Sequence, residues 1–220
     1  MNWKKQVFEN FKLYAITDLK SPDPSWVEKI AAAFRGGADI VQLRSKTLSD
    51  RELYALGLQI RELANSYKKL FFVNDRLDLA LAVEADGIHL GQEDLPIAAV
   101  RRICQQARYS LCIGKSTHSL EQAVAAEKEG ANYVGVGPIF GTPTKPDYQP
   151  VGLGLIRKVQ AAVKIPFVAI GGIDETNLAS VLEAGASRIA LVRAIFGAED
   201  IYEAAKKLRE QIEKQESLRA

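Results

Sequence analysis

Four short segments of this 220-residue chain repeat one another, and their spacing restricts the fold more than any other feature. Gly37-Ala38-Asp39 precedes Ile40-Val41-Gln42-Leu43-Arg44, and Glu84-Ala85-Asp86-Gly87 precedes Ile88-His89-Leu90. Gly130-Ala131-Asn132 precedes Tyr133-Val134, and Gly185-Ala186-Ser187 precedes Arg188-Ile189-Ala190. Each reads as the end of a helix followed by a strand, because glycine readily takes the left-handed conformation past a helix end and the apolar run is of strand length. The alanines at 38, 85, 131 and 186 stand 47, 46 and 55 residues apart, about two βα units each. Four such quarters make eight strands.

The intervening strands read directly as Leu13–Thr17, Leu70–Val73, Leu111–Gly114 and Phe167–Ile170, with amphipathic helix patterns at Asp50–Tyr67, Ser119–Glu129 and Glu199–Lys214. Strict β/α alternation predicts a parallel sheet, and eight units predict closure into a single-domain (β/α)8 TIM barrel over residues 1–220, with its core at about 11–215. The alternative is an open doubly wound sheet. It lacks its glycine-rich signature here, since Thr17-Asp18-Leu19-Lys20 follows the first strand.

Charge and cysteine content exclude several function classes. Lys plus Arg (29) nearly balances Asp plus Glu (27), so no global field attracts nucleic acid or an anionic membrane, and an anion site must be local. Cys104 and Cys112 fall on a predicted helix and a predicted strand, which reads as two buried thiols in a reducing cytoplasm. Met1-Asn2-Trp3-Lys4-Lys5-Gln6 leads into no apolar export signal, and no apolar run approaches a bilayer span, so a soluble, unexported protein is expected.

A barrel gathers the residues at its strand C-termini on one face. The third quarter is the longest, and it contains Tyr133-Val134-Gly135-Val136-Gly137 followed by Pro138-Ile139-Phe140-Gly141-Thr142-Pro143-Thr144-Lys145. Two hydroxyls and an ammonium at such a loop suit a phosphate or pyrophosphate; an ordinary polar surface loop is the alternative. Alternation sends Gln42, Arg44 and Lys46 to one side of the second strand end. Asp75 and Asp94 end adjacent strands; two carboxylates without His or Cys suit a hard ion such as Mg²⁺, while helix capping ahead of Leu77 and Pro96 is the competing reading. Gly171-Gly172 permits close approach to a phosphate, which a helix start near Val192-Arg193 could also bind. His118 has no visible carboxylate partner, and His89 reads as structural.

Six motifs in order resemble the thiamine phosphate synthase family: Val41-Gln42-Leu43-Arg44-x-Lys46, Val73-Asn74-Asp75-Arg76, His89-Leu90-Gly91-Gln92-Glu93-Asp94-Leu95-Pro96, Ser116-Thr117-His118-Ser119, Gly137-Pro138-Ile139-Phe140-x-Thr142-x-Thr144-Lys145 and Ala169-Ile170-Gly171-Gly172-Ile173. The resemblance runs from about Leu13 to Phe196. It implies a Mg²⁺-dependent transferase that joins 4-amino-2-methyl-5-(diphosphooxymethyl)pyrimidine to a thiazole phosphate, giving thiamine monophosphate and pyrophosphate through a stabilised carbocation. It implies that Gln42, Arg44, Lys46, Asn74, Ser116 and Lys145 hold the pyrimidine diphosphate, with Leu43 and Ser45 in the same run. Asp75 and Asp94 would hold Mg²⁺. Thr142, Thr144, Gly172 and the Val192-Arg193 backbone would hold the thiazole phosphate, with Pro143 between the threonines, and Lys145 would act on the leaving group. Lys115 and Arg193 depart from the pattern, which expects a small apolar residue and a serine there. The rival readings are a thiazole tautomerase using His118 for proton transfer, and a phosphate-binding barrel without catalysis.

Overall fold

The computed structural model describes residues 3–143 and 149–218. Its first half runs α1 (Trp3–Asn10), β1 (Leu13–Ile16), α2 (Trp26–Arg35), β2 (Ile40–Leu43), α3 (Asp50–Ser66), β3 (Leu70–Asn74), α4 (Leu77–Ala82), β4 (Gly87–Leu90) and α5 (Ile97–Gln106). The second runs β5 (Cys112–Thr117), α6 (Leu120–Lys128), β6 (Tyr133–Val136), α7 (Gly152–Ala162), β7 (Phe167–Ile170), α8 (Leu178–Glu183), β8 (Ile189–Leu191), α9 (Arg193–Phe196) and α10 (Ile201–Ser217). All eight strands are parallel and pair in chain order, and β8 returns to β1, so the sheet closes as the repeat predicts.

Each repeat ends its helix with the same pair of hydrogen bonds. The alanine N–H reaches five residues back and the residue before it three back: Ala38 to Ala33 and Gly37 to Phe34, Ala85 to Ala80 and Glu84 to Leu81, Ala131 to Ala126 and Gly130 to Glu127, Ala186 to Val181 and Gly185 to Leu182. This pairing satisfies the last helical carbonyls and requires a left-handed residue, which is why glycine recurs. Gly37, Gly130 and Gly185 have φ of 106°, 89° and 114°, and Glu84 adopts 52° despite its side chain.

The third position of the repeat then clamps the neighbouring strand. Asp39, Asp86 and Asn132 each donate a backbone N–H to the carbonyl of Leu13, Phe71 and Ile113 respectively. Their side chains accept the N–H of those same residues, so the strand starts at the barrel mouth leave these donors satisfied. Asp39 also accepts the Lys12 N–H and pairs with Lys69 and Arg209 at 2.8 and 2.6 Å, and Asp86 pairs with Arg61 and Lys4, both at 2.7 Å. Ser187, in the fourth repeat, accepts the Arg188 side chain at 3.4 Å instead.

Strand alternation divides the core in two. Leu13, Ala15, Val41, Leu43, Phe71 and Val73 face outward under the helices, whereas Tyr14, Ile16, Ile40, Leu70, Phe72, Tyr133, Val168 and Ala190 fill the barrel interior. Trp3, Val7 and Phe8 of α1 pack on this inner cluster from the N-terminal end and seal that mouth. Glycines make room for the large rings: a Cβ at Gly87 would lie 2.7 Å from the Phe72 ring, and one at Gly114 would lie 2.2 Å from that of Tyr133. The interior is therefore packed below and open only toward the strand C-termini.

The observed strands differ from the predicted ones mainly at β5. It begins at Cys112 and runs on to Thr117, past the end of the apolar run at Gly114, so Ser116 is a strand residue. Apolar periodicity stops at Gly114, but hydrogen bonding to β6 continues through Lys115, Ser116 and Thr117. Cys104 and Cys112 lie on α5 and β5 as free thiols. Among the described residues no helix is long and apolar enough to cross a membrane.

The clamp assigns unequal stakes to equivalent positions. Asp39→Ala leaves two backbone donors and two cations without their partner and is expected to cost about 3 kcal/mol or more in urea unfolding. Ser187→Ala, which removes no strand clamp, is expected to stay within about 0.5 kcal/mol.

Candidate active site

A cavity of about 330 Å³ opens at the C-terminal end of the barrel. Its lining includes Gln42, Arg44, Asn74, Asp75, Ser116, Thr142, Gly172, Val192 and Arg193, drawn from strand ends that are far apart in sequence. Inward alternation accounts for the strand members: Gln42 points in from β2, with Arg44 just past its end, Asn74 from β3 and Ser116 from β5.

Arg44 is buried and held in place. Its guanidinium meets Asp18 at 2.5 Å, and its backbone N–H donates to Thr17 Oγ1, so the residues just after β1 orient the cation just after β2. Leu43, by alternation, lies in the outer core, and Ser45 Oγ donates to the Leu19 carbonyl while accepting the N–H groups of Thr47 and Leu48. Neither lines the cavity. Lys46 is exposed, but its ammonium lies 3.9 Å from Asp75.

Asp75 occupies a strained turn, with φ of 60° and an Arg76 N–H to Asn74 carbonyl bond of 2.6 Å around it. Left-handed backbone costs a non-glycine residue about 1 kcal/mol, although Asp and Asn tolerate it best. The turn directs its carboxyl at Asp94 on the next loop. Burial above all, then a hydrogen bond and charge repulsion from Asp94, push the Asp75 carboxyl up to about 6, against the opposing pull of Lys46 and Asn74. Asp94 Oδ2 meanwhile accepts the Gly91 N–H at 2.5 Å.

Neither carboxylate caps a helix. The cap positions of α4 and α5 are Arg76 and Pro96, without side-chain cap hydrogen bonds, so the competing sequence reading of Asp75 and Asp94 is set aside. Two hard oxygen donors facing each other fit a Mg²⁺ ion that would take its other ligands from phosphate and water. Among the described residues there is no group of three or more His, Cys, Asp or Glu side chains placed to hold a metal.

Lys115, unexpected at its position, is buried and donates to the Gly91 carbonyl at 2.6 Å. It thereby pins the loop that carries Asp94. Gly171 and Gly172 have φ of 98° and 65°, and a Cβ on either would strike Pro138 or the Gly141 carbonyl at 2.4 or 2.6 Å. The glycine pair thus admits the loop after β6, whose Ile139 and Phe140 N–H groups bond to the Ile170 and Gly171 carbonyls. Arg193 is exposed at the cavity edge, near enough to Asp174 to help hold that carboxyl below its usual range after the stronger effect of Thr176. Pro143 is exposed and outside the lining; Thr144 and Lys145 lie outside the described residues.

Both histidines line the cavity. His118 Nδ1 faces the Gly137 carbonyl, which can only accept, so that nitrogen carries a proton and ties the end of β5 to that of β6. His89, read from sequence as structural, also faces inward, hydrogen-bonded to Tyr133 and Ser116 at 2.9 Å each. Its inward direction is legible in the alternation Ile88-His89-Leu90, where both neighbours are apolar. Asp18 carries no comparable signal.

The raised Asp75 carboxyl sets a pH dependence for the metal-free protein. A carboxyl at about 6 when folded, against an ordinary 3.8, binds more proton in the native state across that interval. Stability should fall as pH rises from about 4 to about 6. Urea unfolding of wild type and Asp75→Asn across this range is expected to show the decline in wild type and its loss in the variant.

Comparison with known proteins places this geometry among relatives. The family model described as thiamine monophosphate synthase matches residues 13–195. A thiamine-phosphate synthase of Pyrococcus furiosus is 46% identical over 203 residues, covering 92% of this chain and 95% of the relative. One from Methanospirillum hungatei is 48% identical over 197 residues, covering 89% and 94%. The solved structure of thiamine phosphate pyrophosphorylase from Pyrococcus furiosus superposes with a TM-score of 0.86 at 44% identity, covering 95% of this chain and 98% of that one.

Proposed function

The chain belongs to the thiamine monophosphate synthase family, and on that premise we propose that it is a transferase joining an aminopyrimidine diphosphate to a thiazole phosphate with release of pyrophosphate. The observation that carries this reading is the convergence of Gln42, Arg44, Asn74, Asp75 and Ser116 on one cavity, with Asp94 against Asp75. Cations, amides and paired carboxylates at a strand-end cavity suit a diphosphate better than an uncharged ligand.

In this reaction the bond between the pyrimidine methylene and the pyrophosphate oxygen breaks, and the thiazole nitrogen then bonds to that carbon. No proton has to leave either reactant for the bond exchange. The cavity fits that requirement, because His118 and His89 are engaged with the Gly137 carbonyl, Tyr133 and Ser116. The chemical demand is instead to hold a growing negative charge on the departing pyrophosphate. Arg44, kept in place by Asp18, and Lys46 set positive charge on that side of the cavity, and Ser116 and Asn74 supply donors. Lys145, by family resemblance, adds a further cation. One such preorganised donor is worth roughly 3 kcal/mol, about a hundredfold in rate. Asp75 and Asp94 would hold Mg²⁺, which when bound supplies positive charge to phosphate oxygens. Thr142, Thr144, Gly172, Val192 and Arg193 would receive the thiazole phosphate. Pro143, Leu43 and Ser45 would contribute through backbone placement. The two free thiols suit a cytoplasmic setting.

The synthase reading separates from the tautomerase reading through His118. Incubation of the purified chain with both substrates and Mg²⁺ is expected to release pyrophosphate and thiamine monophosphate in equal amounts, and absence of both products would refute the proposal. His118→Asn is expected to keep turnover within about fivefold of wild type, since the imidazole transfers no proton in the committed step; a loss of about a hundredfold in a folded variant would restore the proton-transfer role.

A further inference from the structure

Below the cavity, five side chains from five strands form one unbroken hydrogen-bond chain. Gln42 Nε2 donates to Tyr14 OH at 2.6 Å, and the Tyr14 and Tyr133 hydroxyls lie 3.1 Å apart. Tyr133 OH lies 2.9 Å from His89 Nδ1, and His89 Nε2 lies 2.9 Å from Ser116 Oγ. Gln42 and Ser116 line the cavity at opposite ends of this chain, whereas Tyr14 and Tyr133 are fully buried and do not reach it. Strand glycines admit the rings: a Cβ at Gly135 would lie 3.1 Å from His89 Cε1, and one at Gly114 would lie 2.5 Å from the Tyr133 hydroxyl. Glycine inside a strand weakens it unless something needs the space, and here two polar rings do.

Counting protons gives the chain a direction. Burial pushes both phenols well above their ordinary range, so each keeps its proton and has one to donate. Gln42 nitrogen can only donate, which makes the Tyr14 oxygen an acceptor. The Tyr14 proton then goes to Tyr133, its other hydrogen-bond partner among the described residues. The Tyr133 proton goes to His89 Nδ1. A neutral imidazole that accepts at Nδ1 carries its proton on Nε2 and donates it to Ser116 Oγ. With the Gln42 amide nitrogen turned to Tyr14, the opposite direction would make Tyr14 accept twice and leave its own buried proton with no acceptor; an amide turned to present its oxygen would reverse the whole chain, and the His89 tautomer separates the two arrangements.

We infer that Tyr14, Tyr133 and His89 are positioning residues that give the two ends of the chain opposite hydrogen-bonding sense, so that Gln42 presents its amide oxygen to the cavity as an acceptor and Ser116 presents its hydroxyl proton as a donor. The site therefore selects a ligand with a donor group at the Gln42 end and an acceptor at the Ser116 end. For the substrate identity this rests on the function proposed above: the exocyclic amino group of the pyrimidine answers Gln42, and an oxo group in its place meets acceptor with acceptor. A site built to pair a polar group rejects an analogue that leaves it unpaired far more strongly than a pocket discriminates by size.

The direction is tested first without any ligand. The chain has two histidines, so ¹⁵N NMR of wild type and His118→Asn assigns the His89 ring nitrogens. The Nε2-protonated tautomer is expected, and an Nδ1-protonated His89 overturns the inference whatever the enzyme turns over. Tyr133→Phe keeps ring volume and removes the middle hydroxyl. It is expected to abolish the single tautomer, to raise KM for the aminopyrimidine diphosphate about tenfold and to reduce its preference over the oxo analogue about tenfold, with KM for the thiazole phosphate little changed and the unfolding midpoint lowered because the buried Tyr14 proton loses its acceptor. Unchanged preference and KM in the folded variant would overturn the inference. Should Tyr133→Phe fail to fold, the wild-type tautomer remains decisive. A wild-type Nε2 tautomer with no synthase activity would instead uphold the chain and refute the functional reading.

Discussion

Closure of eight parallel strands into a ring is the constraint on which the rest depends. A parallel ring leaves no sheet edge, but it exposes strand starts at one mouth and strand ends at the other, and the two are treated differently. At the N-terminal mouth the clamps from Asp39, Asp86 and Asn132 satisfy strand N–H groups, and α1 lays Trp3, Val7 and Phe8 over the interior cluster. With that end sealed, the charged inward side chains Arg44 and Asp75 stand in the upper half. The ligand cavity is what remains of the interior once its lower half is filled with Tyr14, Phe72 and Tyr133.

The polar and charged groups of that upper half are held from beneath or behind. Asp18 fixes Arg44, Lys115 fixes the Gly91 loop, Gly91 fixes Asp94, and the tyrosine–histidine chain joins Gln42 to Ser116. Such support lets a cavity hold opposed charges without collapsing them onto one another, which is what electrostatic stabilisation of a leaving group requires. The Asp75–Asp94 pair is the exception. Asp75 sits on a strained turn, and burial and Asp94 raise its carboxyl to about 6, so it ionises less readily than an ordinary carboxylate.

Most of the fold is legible in the chain because the repeat states both the helix end and the strand start. Gly37, Gly130 and Gly185 carry the backbone requirement directly, and only Glu84 hides it, behind a side chain that seldom takes a positive φ. Strand ends are less legible: β5 continues through Lys115-Ser116-Thr117 because its partner β6 holds it, a tertiary effect no apolar pattern records. At the site, alternation correctly aims Gln42 and Arg44 inward, and the aspartates at adjacent strand ends do meet. The supporting residues are the hidden part. Tyr14, Tyr133, Asp18 and Lys115 read as core, loop or departure from pattern, since what they do depends on partners contributed by other strands.

We propose that Asp75 and Asp94 form an incomplete cation site that a diphosphate completes. The direct measurement is a titration with Mn²⁺, followed by its electron paramagnetic resonance, in the presence and absence of pyrophosphate. One Mn²⁺ per chain is expected to bind tightly only with pyrophosphate present, with affinity lost by about a hundredfold in Asp75→Asn and Asp94→Asn. Equally tight Mn²⁺ binding without pyrophosphate, or binding unchanged in both variants, would contradict it.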